Sequence, residues 1–189
     1  LFLRTGEIIG RIVSLLSGIG VIIGAMSLTG VGTSLSRELV FAAGGDIYMI
    51  LIFGALASLV LGVGMTVSAC YIFLAIVLAP AIIEAGVTPI AAHLYVLYWG
   101  VLSFITPPVA IAAITASTIS KSSALETGVL SMRLGSILFF LPILFVFDSA
   151  MLMNGSIIDI MISFMTAIFA IILISASFES YLYFFGLIN

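Results

Sequence analysis

Two adjacent prolines, Pro107 and Pro108, sit inside an apolar segment that runs from Ile90 to Ile119. As a helix, such a segment belongs in a bilayer core. Neither proline carries an amide N–H, so the carbonyls one turn earlier, near Ser103 and Phe104, lose their helical donors. Thr106 precedes a proline and is pushed away from helical geometry. The helix is therefore expected to break over Ser103–Val109. In lipid, a broken backbone is tolerated only where protein buries it or a wet cavity receives it. The Thr-Pro-Pro stretch is thus a candidate binding site at mid-membrane depth, and the other segments matter by what they place against it.

The class follows from the balance of side chains. Of 189 residues, 63% are hydrophobic and 7% are charged, where a soluble domain has roughly a quarter charged. So few polar groups cannot cover a globule, and the chain is read as an all-α integral membrane protein. Five Lys and Arg residues form no basic cluster, which excludes nucleic-acid binding. Cys70 is alone, so no internal disulfide forms. A single His93 excludes a multi-histidine metal site within this chain. The chain begins at Leu1, and its charged start (Arg4, Glu7, Arg11) leads into an apolar run too long for a signal peptide and without a cleavage pattern. It is expected to be the C-terminal part of a larger protein.

Four regions follow in order. Residues 1–38 hold a first span, Ile8–Leu28, and a polar connector from Thr29 to Glu38. Gly20 and Gly24 give that span the G-x-x-x-G spacing that favours close helix contact. Residues 39–84 hold two apolar runs, Leu39–Leu61 and Val67–Glu84, joined by Gly62-Val63-Gly64-Met65-Thr66. That joint carries no charge, as suits the tip of a re-entrant hairpin; two full spans with a tight turn are the alternative. Residues 85–119 hold the broken helix. Residues 120–189 hold a loop (Ser120–Gly128), a span (Val129–Phe147), a connector (Asp148–Ser156), a last span (Ile157–Phe178) and an aromatic tail. Counting Lys and Arg, one face collects Arg4, Arg11, Lys121 and Arg133, and the other has Arg37 alone. The positive-inside rule then puts both termini on the cytoplasmic side.

Both interruptions offer the same chemistry. The first hairpin arm ends near Gly62 with free carbonyls, and the second starts at Thr66–Ser68 with free N–H groups. The broken helix ends at Ser103–Ile105 and is expected to restart at Pro107, with Thr106 as its N-cap. Helix C-termini with a threonine hydroxyl suit a hard cation such as Na⁺, and helix N-termini suit a carboxylate. Discontinuous helices divide this labour in transporters. The candidate Na⁺ ligands are therefore Gly62, Val63, Gly64, Ser103, Ile105 and Thr106. The candidate solute contacts are Thr66, Ser68, Thr106, Pro107 and Val109. No cofactor is expected beyond Na⁺ as coupling ion. Asp46, Glu84, Asp148 and Asp159 lie near span ends, so no carboxylate sits deep enough for a proton relay. His93 reads as interfacial, and the Tyr95, Tyr98, Trp99 stripe as packing. The serines Ser117, Ser120, Ser122 and Ser123 have no His and acid placed to activate them, so an enzyme is not expected.

Several stretches resemble one family, the large permease subunit of TRAP (tripartite ATP-independent periplasmic) transporters. They are Leu61-Gly62-Val63-Gly64-Met65, Ala69-Cys70-Tyr71, Leu78-Ala79-Pro80-Ala81, residues 86–94 and residues 100–110. Arg133-Leu134-Gly135 and residues 145–152 are similar to the fused permeases of the TAXI branch. The resemblance covers roughly Thr5 to Tyr181 and is most specific from Leu61 to Ala112. It implies a sodium-coupled importer of organic acids in a prokaryotic inner membrane. It implies an inverted-repeat elevator fold of the ion-transporter type, of which only the second repeat is here. Its partners would be a periplasmic solute-binding protein, the N-terminal half of the permease and membrane lipid. The family's tip reads Gly-x-Gly-x-Pro-Thr-Thr, whereas this chain has Thr66 in place of the proline and Val67 in place of a threonine. The rival reading is a membrane-embedded scaffold without transport, which needs no break in a span.

Overall fold

A computed structural model describes residues 2–62, 65–107, 110–179, 181–182 and 186–187. Nine α-helices follow in order among these: α1 (Phe2–Thr29), α2 (Val31–Ala42), α3 (Ile47–Gly62), α4 (Val67–Glu84), α5 (Pro89–Leu102), α6 (Ile111–Ser120), α7 (Ala124–Leu134), α8 (Ile137–Phe147) and α9 (Ile157–Glu179). A 3₁₀ turn at Ser149–Leu152 precedes α9. Two-residue strands, Tyr181–Leu182 and Gly186–Leu187, pair antiparallel at the C-terminal end. The chain is an all-α membrane protein: Val67–Glu84, Ala124–Phe147 and Ile157–Glu179 are long and apolar enough to cross a bilayer. Large hydrophobic side chains cover its outside, including Phe41, Leu56, Ile119, Met165 and Phe169. In water that surface would aggregate; in lipid it is solvated.

The stretch Thr29–Glu38, expected as a polar connector, is mostly helical and belongs to α2. Gly30 makes the corner, with φ at +68°, a left-handed conformation that only glycine adopts without strain. The axis bends by 68° there. Glycines Gly20 and Gly24 of α1 face open space, so their close-packing spacing meets no partner among the described residues. The expected loop Ser120–Gly128 is also shorter than the sequence suggested. Helix α7 begins at Ala124, and a short interruption at Gly135–Ser136 separates it from α8.

The core lies among α3, α4 and α5. Ile50, Leu74, Leu78, Ile82, Tyr95 and Val96 are all buried. Lipid is as apolar as leucine, so burial from water does not hold these helices together; close packing does. The sequence supplies small residues where backbones meet. A Cβ on Gly54 would lie 2.7 Å from Leu78 Cδ1, and one on Gly32 would lie 2.6 Å from Ile76 Cγ2. With Cys70 Sγ 4.0 Å from the Ser58 carbonyl, these contacts run α3 and α4 antiparallel as a hairpin. Pro80 lies inside α4 and removes the donor that the Ile76 carbonyl would receive. Gly32 of α2 lies across that same turn.

One buried hydrogen bond ties α5 to α3. The Tyr95 hydroxyl donates to the Leu51 carbonyl at 2.6 Å. Tyr95→Phe removes that bond without opening a cavity. An interhelical bond of this kind in a membrane is worth about 0.6–1.7 kcal/mol. The expected result is a loss of stability of that size in detergent unfolding; an unchanged midpoint would show the bond to be idle.

Candidate ion and solute site

The long apolar run is broken where its prolines require. Helix α5 stops at Leu102, and α6 starts at Ile111. Pro107 has no N–H to offer, and among the described residues the Ser103 carbonyl accepts no backbone hydrogen bond. The Phe104 carbonyl is not free, because it accepts from the Ala112 amide at 3.1 Å, across the break.

Helix α6 begins later than the sequence suggested, which corrects the expected restart at Pro107. Thr106 does not cap it. The Thr106 hydroxyl points back and donates to the Leu102 carbonyl at 2.7 Å, closing the end of α5. The residue at the N-cap of α6 is Ala110, at φ +34° and ψ +51°. An alanine in that left-handed region costs roughly 1 kcal/mol and persists only where its surroundings impose it.

The hairpin end faces this break. Gly62 is the last residue of α3, and a Cβ there would lie 2.5 Å from Ser103 Oγ and 3.3 Å from the Gly100 carbonyl. Ser103 is buried, and its hydroxyl donates to the Gly100 carbonyl at 2.8 Å. One turn further, Gly100 lies against Cys70 Sγ of α4. The C-terminal ends of α3 and α5 therefore converge. Each end carries a partial negative charge from carbonyls without helical donors. On the other hairpin arm, α4 starts at Val67 with Thr66 as N-cap, whose hydroxyl accepts from the Ala69 amide at 3.3 Å. Ser68 is exposed in the first turn of α4. The structure thus brings Gly62 to Ser103 and leaves Ile105, Thr106 and Pro107 half-buried in the break beside them. Val63, Gly64 and Val109, also expected at this site, lie outside the described residues.

Two neighbours of the break were missed by sequence reasoning. A Cβ on Gly128 would lie 2.9 Å from Pro107 Cγ, and one on Gly135 would lie 2.8 Å from Ile105 Cδ1. These glycines are seven residues apart, hence on one side of a helix. That spacing was the available signal. The break is thus in close contact with α3 at Ser103 and with α7 at Pro107.

Other candidates settle into packing roles. Tyr71 Oη of α4 lies 3.1 Å from His93 Nδ1 of α5, joining the two helices. Trp99 meets Phe139 edge to face, and Tyr98 meets Phe145 likewise. Ser120 and Ser122 hydroxyls bond each other at 2.6 Å at the turn between α6 and α7. Among the described residues, no three His, Cys, Asp or Glu side chains gather as a metal site.

A family model described as "Tripartite ATP-independent periplasmic transporter, DctM component" matches residues 1–160. That is most of the chain. The chain belongs to the DctM family of TRAP transporter permeases. No curated protein and no solved structure matches it. For a DctM permease, the broken α5–α6 helix and the facing hairpin end are where two interruptions of helix meet. The chain is accordingly an integral membrane component of a transport system.

Proposed function

We propose that this chain forms the ion- and solute-holding part of a sodium-coupled TRAP permease that imports an organic acid delivered by a periplasmic binding protein. The observation that carries the reading is the convergence of two helix C-termini, Gly62 of α3 and Ser103 of α5. Neither interruption bears a charged side chain. Two carbonyl-bearing ends at one place favour a cation, each by about 0.3–1 kcal/mol. The carbonyls at Gly62–Gly64, Ser103 and Ile105, with the Thr106 hydroxyl oxygen, are the proposed Na⁺ ligands. The N-terminus of α4 at Thr66–Ser68, with Pro107 and Val109, is the proposed solute side, where amide groups meet a carboxylate. The α3–α4 hairpin is proposed as re-entrant, moving with the broken helix as an elevator, with both ends of this segment cytoplasmic. A scaffold would need neither the break nor the hairpin end against it, so both features favour transport.

Thr106 gives the test. Its hydroxyl hydrogen is taken by the Leu102 carbonyl, which leaves the oxygen lone pairs for a cation. Thr106→Val keeps the shape and removes the oxygen. In the complete permease, the sodium concentration for half-maximal uptake should rise roughly tenfold, the equivalent of one lost ligand worth about 1.4 kcal/mol. Thr106→Ser should restore it. An unchanged sodium requirement, or a loss of thermal stability equal in sodium and in choline, would remove Thr106 from the site and leave it a structural hydroxyl.

A further inference from the structure

Between α7, α8 and α9 runs a groove of about 460 Å³, lined by none of the residues proposed to hold ion or solute. Its walls are apolar: Val129, Met132, Phe139, Phe140 and Phe178. At its edge stands one cation. Arg133 Nε donates to the Phe178 carbonyl at 2.8 Å and lies 3.3 Å from Glu179 Oε1. Those two contacts place the guanidinium at the C-terminus of α9, where a helix end favours positive charge. They also occupy the Nε side alone. Among the described residues, neither Nη makes a hydrogen bond. The side chain is half-exposed. Helix α9 is a membrane-length helix that ends at Glu179, and the guanidinium meets it at that end.

We propose that this groove is a binding site for one anionic phospholipid. The Nη pair takes the phosphodiester, because a guanidinium fork meets two phosphate oxygens at once. The acyl chain lies along Phe139, Phe140 and Phe178. Glu179 stays on the opposite, Nε side of the fork, where it holds the guanidinium in place and excludes a second anion. Bulk lipid would fill an apolar groove without regard to headgroup; a donor pair at the groove's edge, without partners among the described residues, makes the headgroup count. The site is independent of the sodium reading and would stand if that reading fell.

Native mass spectrometry of the detergent-purified protein, titrated separately with phosphatidylglycerol, phosphatidylcholine and inorganic phosphate, tests it. The expected result is one phosphatidylglycerol held about five-fold more tightly than phosphatidylcholine, the scale of one basic side chain against an anionic headgroup. Inorganic phosphate alone should not be retained. Arg133→Gln should abolish the preference. Met132→Trp fills the groove, leaves Arg133 untouched and should lower phosphatidylglycerol retention by itself, which decides the matter if Arg133→Gln does not fold. Equal retention of both lipids, retention of phosphate alone, a preference surviving Arg133→Gln, undiminished phosphatidylglycerol retention in Met132→Trp, or a dimer that closes the groove would each overturn the proposal.

Discussion

Gly62→Ala is expected to separate the hairpin end from the break. The added Cβ would meet Ser103 Oγ at 2.5 Å and Ser103 Cβ at 2.6 Å. Real Cβ atoms do not approach that closely, and Ser103 has little room to give because it is buried and bonded to the Gly100 carbonyl. Overpacking of this kind costs about 1–3 kcal/mol. The gain in helix propensity from glycine to alanine, about 0.5–1 kcal/mol, offsets part of it. Thermal unfolding in detergent should show the net loss. The double variant Gly62→Ala, Ser103→Gly removes both clashing atoms and should recover most of it. If the single variant is as stable as the parent, α3 and α5 do not meet at these residues. In the complete permease, the same variant should cost uptake more than stability, because it displaces the carbonyls proposed to share one ion.

The other side of the break responds to Gly128. Its virtual Cβ stands 2.9 Å from Pro107 Cγ and 3.6 Å from Ala110 Cβ. A proline ring shifts a few tenths of an ångström through its pucker, so Gly128→Ala should be mild. Gly128→Leu has no such escape and should lose about 1–3 kcal/mol. Both glycines press on the same break, Gly62 at Ser103 and Gly128 at Pro107 and Ala110. Their effects should therefore not add: a double-mutant cycle of Gly62→Ala with Gly128→Leu should give an interaction energy above about 0.5 kcal/mol. Additivity within a few tenths would mean that the break is not one mechanical unit.

Much of the fold was legible because lipid leaves few choices. Long apolar runs must be helices, and a Pro-Pro pair inside one must break it. The end of α3 at Gly62 and the start of α4 at Val67 fell where glycine and threonine marked them. Helix α2 was not legible. Its serines, Arg37 and Glu38 read as a connector because polarity usually marks a loop, yet Ser36 is buried against the rest of the molecule. The restart of the broken helix was misplaced for a related reason. Proline at a first helical position with threonine before it is a common local signal, but the Thr106 hydroxyl went to the Leu102 carbonyl instead. That carbonyl is a competitor that no sequence pattern displays.

The sequence by itself determined that this chain lives in a membrane, that its backbone is interrupted at two uncharged places, and which residues stand there. Those properties are local: hydrophobicity, missing N–H groups and glycine freedom act within one turn of the chain. Only the tertiary structure decided that the two interruptions meet at Gly62 and Ser103, and that Gly128 and Gly135 pack against Pro107 and Ile105 of the break. It alone brought Arg133 to the end of α9. In lipid these encounters rest on close packing between helices distant in sequence, and a side chain's fit to a remote neighbour leaves no periodic trace in its own segment.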